Sequence, residues 1–188
     1  MNDLVSDQPI SKRKALIDVI PLGCIEHLAV SIMAANLQAI IGLNANIVEP
    51  RLDPEYAFLP QRQQFDALKI IKELSKETHG ASFKLGVTAL DICTPILTFV
   101  YGESQLGGKT ALISLHRLQG GGVELSYERA AKICVHEVGH MLGLEHCWAV
   151  RCLMHFSRSL EQLDSLPLQF CSACGFETAR RIRALGSG

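Results

Sequence analysis

The chain has 188 residues, 48% hydrophobic and 20% charged, enough to bury one full core and unlike a disordered chain or a disulfide mini-protein. Eighteen Lys and Arg stand against 19 Asp and Glu, a net charge of −1, which leaves no global electrostatic case for nucleic acid or an anionic membrane as partner. No repeat recurs at a fixed period, which excludes solenoids and coiled-coil arrays.

Residues 1–13 read as a loose tail. The charged run Lys12, Arg13, Lys14 leads into a short β-branched strand over 15–20, ended by Pro21 and Gly23, and not into the apolar region of a secretory signal. Residues 25–42 carry Leu28, Ile32, Ala35 and Ile40 at helical spacing, with Gly42 as the stop. Asn36 and Gln38 interrupt the longest apolar stretch, 28–43, which falls short of the ~18–20 residues a bilayer span needs. A second strand is predicted over 46–49 and a Pro-bearing loop over 51–60. Phe65, Leu68, Ile71 and Leu74 mark a second helix ending near His79 and Gly80. Strands over 85–92 and 95–101, a Gly-rich hairpin over 102–108 and a strand over 110–115 follow. After the Gly120-Gly121-Gly122 punctuation comes the longest helix, 126–142, with Ser126 as N-cap and Glu128 in its first turn. This order predicts an α+β fold, α/β-like, with helices packed on a sheet. The expected subdomains are 14–143 and 144–188.

Cysteines stand at 24, 93, 134, 147, 152, 171 and 174. An odd number cannot pair completely, and clustered Cys beside His reads as metal binding more readily than as a disulfide framework. The expected setting is cytoplasmic and reducing. Cys24, Cys93 and Cys134 are expected as buried small hydrophobes.

The chemistry concentrates in His136-Glu137-Val138-Gly139-His140-Met141-Leu142-Gly143-Leu144-Glu145-His146. Positions i and i+4 share a helix face, so His136 and His140 can meet one cation. Glu137 lies about 100° further round the helix, beside the cation instead of on it, where a base would stand. Gly143 can end the helix at positive φ, and His146 then swings back as a third ligand. Three nitrogens leave a fourth tetrahedral position for water, as in catalytic zinc sites. Random placement would give the five fixed residues in roughly 5 of 100,000 such chains, far below the false-positive rate of short motifs.

The long motif resembles that of the metzincin zinc metalloproteases. Cys147 after the third His, then Cys152-x-Met154 and Cys171-x-x-Cys174, resemble the archaemetzincins, with the close match over 136–174. The resemblance implies a twisted mixed sheet with packed helices, an active-site helix and a short Cys-rich, zinc-bearing C-terminal subdomain. It implies that Met154 is the Met-turn residue beneath the histidines. It also assigns Cys147, Cys152, Cys171 and Cys174 to a structural zinc, the alternatives being two disulfides or inert thiols. Two zinc ions per chain follow, one catalytic and one structural.

The implied activity is a zinc-dependent peptidase in which Glu137 activates water. The competing readings are a zinc-binding regulatory or scaffold protein without turnover and a hydrolase of non-peptide amides. A peptide or protein substrate is the expected partner, with no nucleic acid or membrane and a monomer favoured. The 110–115 strand is the expected free edge for an extended substrate. His155 is expected near the cleft, and Arg158 there would favour carboxylates. Arg180, Arg181 and Arg183 are expected on the polar face of a terminal helix.

Overall fold

Runs of Ile, Val and Leu make the centre of the sheet, because parallel strands covered by helices on both faces must be apolar throughout. In the computed structural model, which describes residues 17–185, β1 (Ile17–Leu22), β5 (Phe83–Thr88) and β8 (Thr110–Ser114) are buried along their whole length. They run parallel, with β2 (Ala45–Ile47) parallel outside β1 and β7 (Gly102–Ser104) antiparallel outside β8. The order is β2-β1-β5-β8-β7. The expected tail over 1–13 and the first residues of the predicted 15–20 strand lie outside the described residues.

The period of two sorts side chains to the two faces. Ile17, Val19, Leu85, Val87, Ala111 and Ile113 face α1 (His27–Asn36) and α3 (Val123–Met141). Ile20, Leu22 and Leu112 face α2 (Ala67–Leu74). Helix α1 runs on through a π turn, Leu37–Ile41, and stops at Gly42 with φ +82°. Three short strands, β3 (Phe58–Leu59), β4 (Gln64–Asp66) and β6 (Ile92–Cys93), form a second small sheet.

Several boundaries differ from the sequence reading. Helix α2 starts at Ala67, because Asp66 caps it by accepting from the Leu68 and Lys69 amides, and Phe65 stays in β4. The 85–92 strand stops at Thr88, whose hydroxyl accepts from the Leu90 amide, and 95–101 forms no strand. Helix α3 begins at Val123, three residues early. Gly122 at φ +104° is its N-cap, and Ser126 donates back to the Gly122 carbonyl instead of capping.

One difference bears on function. The 110–115 strand is not an edge: Ala111 pairs with Leu85 on one side and Ser104 on the other. The edge on that side is β7, expected within a Gly-rich hairpin over 102–108, and only Gln105 to Lys109 reverse the chain. Its sequence, Gly-Glu-Ser, gives β7 no strand signal of its own; its pairing with β8 makes the strand.

Two helices complete the chain, α4 (Leu160–Ser165) and α5 (Ser172–Leu185). Arg129 binds the Asp164 carboxylate with two N–H donors at 2.7 and 2.6 Å. Lys132, fully buried, donates to the Leu163 and Asp164 carbonyls and pairs with Glu128. These bonds fix α4 against α3.

At the other end of the sheet, Asp18 of β1 meets its register partner Lys84 of β5 at 2.9 Å, both side chains nearly buried. Burial would raise the Asp18 pKa, but the bonds from Lys84, the Ala81 amide and Asn46 together hold it below the usual carboxylate value. Removing one partner of such a pair leaves an uncompensated buried charge. Lys84→Met is therefore expected to cost about 3–5 kcal/mol in urea unfolding at neutral pH. Because the folded pKa of Asp18 is depressed, its contribution is complete above the ordinary carboxylate range and is lost as pH falls through the folded value. The gap between wild type and variant should shrink below about pH 4.

Candidate active-site cleft and cysteine cluster

The last turns of α3 carry His136, Glu137 and His140, with the spacing that stacks the two imidazoles on one face. Their Nε2 atoms lie 3.1 Å apart. Each ring is oriented by a backbone carbonyl at Nδ1, Leu153 at 2.8 Å and Leu144 at 2.7 Å. A neutral imidazole donating from Nδ1 carries a lone pair at Nε2, so two lone pairs face each other. Burial pushes His136 down to about 4, so near neutral pH no proton separates them. A cation placed there would be met by both, and the carbonyls supply the outer orientation that ligating histidines use.

Gly143 takes φ +84° and ends the helix, its amide bonding the His140 carbonyl at 2.7 Å. His146 then returns, with ring centroids 5.5 Å from His136 and 4.8 Å from His140. One nitrogen from each of the three lies within 4.8 Å of the others. Burial lowers the pKa of His140 and His146 as well, which favours the neutral form that can ligate.

Glu137 is buried and accepts a 2.5 Å hydrogen bond from Ser104 of β7. Burial raises its pKa. A side chain at Gly102 would place its Cβ 2.6 Å from Glu137 Cγ and 2.8 Å from Oε1, so the edge strand can lie over Glu137 only because this residue is glycine. Ser104 and Gly102 were not predicted from sequence; they meet Glu137 through the pairing of β7 with β8 and carry no local motif.

Met154 is fully buried. Its Sδ would lie 2.6 Å from a Cβ placed on Gly139, so Gly139 lets it press on α3 between the two histidines. A glycine inside a helix costs about 1 kcal/mol relative to Ala, and that cost is the signal by which this contact could have been found.

Cys147, Cys152, Cys171 and Cys174 bring four Sγ atoms within 4.8 Å of one another. All are free thiols, and Cys147 and Cys171 are 3.8 Å apart, beyond a disulfide's ~2.05 Å. Backbone amides aim at the sulfurs, Ala149 at Cys147 and Cys171 at Cys152, while burial pushes the Cys152 and Cys174 thiols up. Cys171 is lowered to about 7, first by the Cys174 amide. Four convergent sulfurs with amide donors fit a closed tetrahedral site. The cluster adjoins the histidines: Cys147 follows His146, and its amide bonds the Met154 carbonyl at 2.8 Å.

The remaining candidates divide. Cys93 and Cys134 are buried as expected, but Cys24 is exposed, because α1 starts only at His27 and Cys24 falls in the turn after Gly23. His155, Phe156, Ser157 and Arg158 all line the cleft, about 970 Å³, in which Glu137 and the three histidines sit. Among the described residues, no helix is long and apolar enough to cross a membrane.

The model of peptidase family M54 matches residues 57–180. The archaemetzincin of Archaeoglobus fulgidus is 37% identical over 156 residues, which cover 82% of this chain and 92% of the relative. That of Methanocaldococcus jannaschii is 41% identical over 132 residues, 66% of this chain and 72% of the relative. Among solved structures, the archaemetzincin of Methanopyrus kandleri superposes with a TM-score of 0.81 at 29% identity, covering 93% of this chain and 99% of that one. The Archaeoglobus fulgidus archaemetzincin, complexed with malonate, superposes with a TM-score of 0.76 at 31% identity, covering 86% and 99%. In sequence and in fold the chain belongs to peptidase family M54 and is a zinc metallopeptidase.

Proposed function

We propose that this peptidase hydrolyses peptide bonds with Glu137 as general base, at a zinc ion that His136, His140 and His146 would hold. The observation that carries the reading is the His136 and His140 Nε2 atoms 3.1 Å apart, each ring held at Nδ1 by a backbone carbonyl, with Glu137 lining the same cleft. Zinc, when bound, supplies Lewis acidity: it acidifies water to a pKa near 7 and polarises a carbonyl. Glu137 takes the proton from the attacking water and delivers it to the leaving amine. Its buried setting raises its affinity for that proton, and the Ser104 hydroxyl holds the carboxylate in place.

An extended substrate would pair with β7, the free edge that passes over Glu137, in place of the 110–115 strand. Cys147, Cys152, Cys171 and Cys174 would hold a second, structural zinc, and Met154 would form the floor beneath the histidines. Residues 14–143 and 144–188 would then be two subdomains meeting at the cleft, in a chain that works as a monomer.

Digestion of a diverse peptide library by zinc-loaded protein, read by mass spectrometry, tests the reading. Cleavage is expected, and it should vanish with chelator and return with zinc. A library left intact by protein that carries its zinc would refute it.

A further inference from the structure

A second recess of about 590 Å³ opens beside His146 and shares that residue, Trp148, Phe156 and Arg158 with the main cleft. Its charge is one-sided. No Asp or Glu lines it, whereas Glu103, Glu137 and Glu145 line the main cleft. Arg158 is the one Arg or Lys lining either space.

Arg158 also differs from most arginines of the chain. Arg51, Arg117, Arg129, Arg180 and Arg181 each bind a carboxylate, and Arg62 is held by the Thr94 and Leu97 carbonyls. The Arg158 guanidinium makes no ion pair among the described residues and lies over the Phe156 ring at 5.8 Å. The Phe156 ring in turn packs on His146 at 4.9 Å. The placement over Phe156 leaves the guanidinium's N–H fork without a carboxylate among the described residues, and such a fork takes a carboxylate with two bonds. The loop that carries it is pinned, because the Arg158 amide donates to Gln162 at 2.8 Å.

The neighbouring residue adds an independent observation. Ser157 Oγ is the one buried side-chain oxygen or nitrogen among the described residues without a hydrogen-bond partner, and Ser157 lines both spaces. Buried hydroxyls are ordinarily satisfied, and this one is free to bond a group that enters the space Ser157 lines.

We propose that Arg158, with Ser157 beside it, is a carboxylate-reading subsite, so that the enzyme favours peptides carrying an acidic side chain or a free C-terminus within about three residues of the bond cut. The proposal rests on the peptidase reading. The span follows from the stack: Arg158 is separated from His146 by a single ring, a distance that two or three extended residues cover at ~3.3–3.6 Å each. Glu103 and Glu145 at the main cleft would meet the opposite end of the substrate, which gives a bound peptide a direction.

The test uses quenched peptides of one core sequence taken from the library digestion. They are made with a C-terminal acid, with a C-terminal amide, and as amides with Glu or Gln at each of the three positions flanking the cut bond. At least one carboxylate-bearing peptide is expected to have a KM about tenfold below its neutral twin at similar kcat. Arg158→Gln should abolish that difference, and Arg158→Lys should restore part of it. Whether the acid or the Glu peptide carries the preference identifies the source of the carboxylate. A second readout does not depend on turnover. Trp148, the single Trp of the chain, lines both spaces, so its fluorescence can follow binding of the same peptides to Glu137→Gln protein. Equal KM and equal binding for charged and neutral twins, or a preference that survives Arg158→Gln, would overturn the proposal. Failure to cleave any peptide, neutral ones included, would count against the peptidase reading, and the Trp148 titration would still decide whether Arg158 reads carboxylates.

Discussion

Glu137→Gln is expected to reduce kcat for peptide cleavage by about 10²–10⁴-fold, the range for removing a positioned general base, with KM changed little. The substitution keeps the side-chain volume and leaves an amide oxygen to accept from Ser104, so the packing of β7 over α3 survives. Thermal unfolding should stay within about 1 kcal/mol of wild type, since replacing a buried carboxyl by a neutral isostere removes a desolvation cost along with a charge-assisted bond. Glu137→Ala should lose the same activity but be somewhat less stable than Glu137→Gln, because it leaves the Ser104 hydroxyl without its acceptor. Retention of kcat within threefold in Glu137→Gln would remove Glu137 from the chemistry.

Cys171→Ser is expected to have the largest effect on stability. Cys152 and Met154 are fully buried, and they pack with Leu144 in a cluster that Cys147, Cys171 and Cys174 close. A cluster so small cannot hold a chain segment in place by area alone, so the metal would carry the balance; structural zinc is worth about 10–16 kcal/mol in zinc-finger peptides. Losing one of four ligands should forfeit a large part of that and lower the melting temperature by at least 10 °C, taking a domain-sized sensitivity of roughly 2–8 °C per kcal/mol. Activity should fall as well, because Cys147 follows His146 and its amide bonds the Met154 carbonyl. Melting curves that coincide with wild type would show that the four thiols hold no structural ion.

The histidines and Glu137 were legible in sequence because a helix converts spacing into direction locally: i, i+4 and the glycine stop at Gly143 suffice. The cysteine pairs were legible for the same reason of short spacing. The central strands were readable from their β-branched runs. The site's other half was not. Ser104 is 33 residues from Glu137 in sequence, and it arrives through β7, whose residues have weak strand propensity and which becomes a strand only by pairing with β8. That same tertiary pairing moved the free edge from 110–115 to Gly102–Ser104. Cap chemistry explains the shifted start of α2, where Asp66 accepts from two amides and leaves Phe65 outside; α3 has its N-cap at Gly122 and not at Ser126, whose hydroxyl donates back to the Gly122 carbonyl. Gly139 passed unnoticed because its reason, Met154 pressed against α3, lies in a contact 15 residues away.

The central claim is that one chain holds two separate zinc ions, one for chemistry on His136, His140 and His146 and one for shape on the four cysteines. Metal analysis of protein purified without chelator tests it most directly. About two zinc equivalents per chain are expected for wild type, and about one for a His136→Ala, His140→Ala double variant that remains folded. A wild-type value near one, with Cys147, Cys152, Cys171 and Cys174 all titrating as free thiols, would contradict the claim.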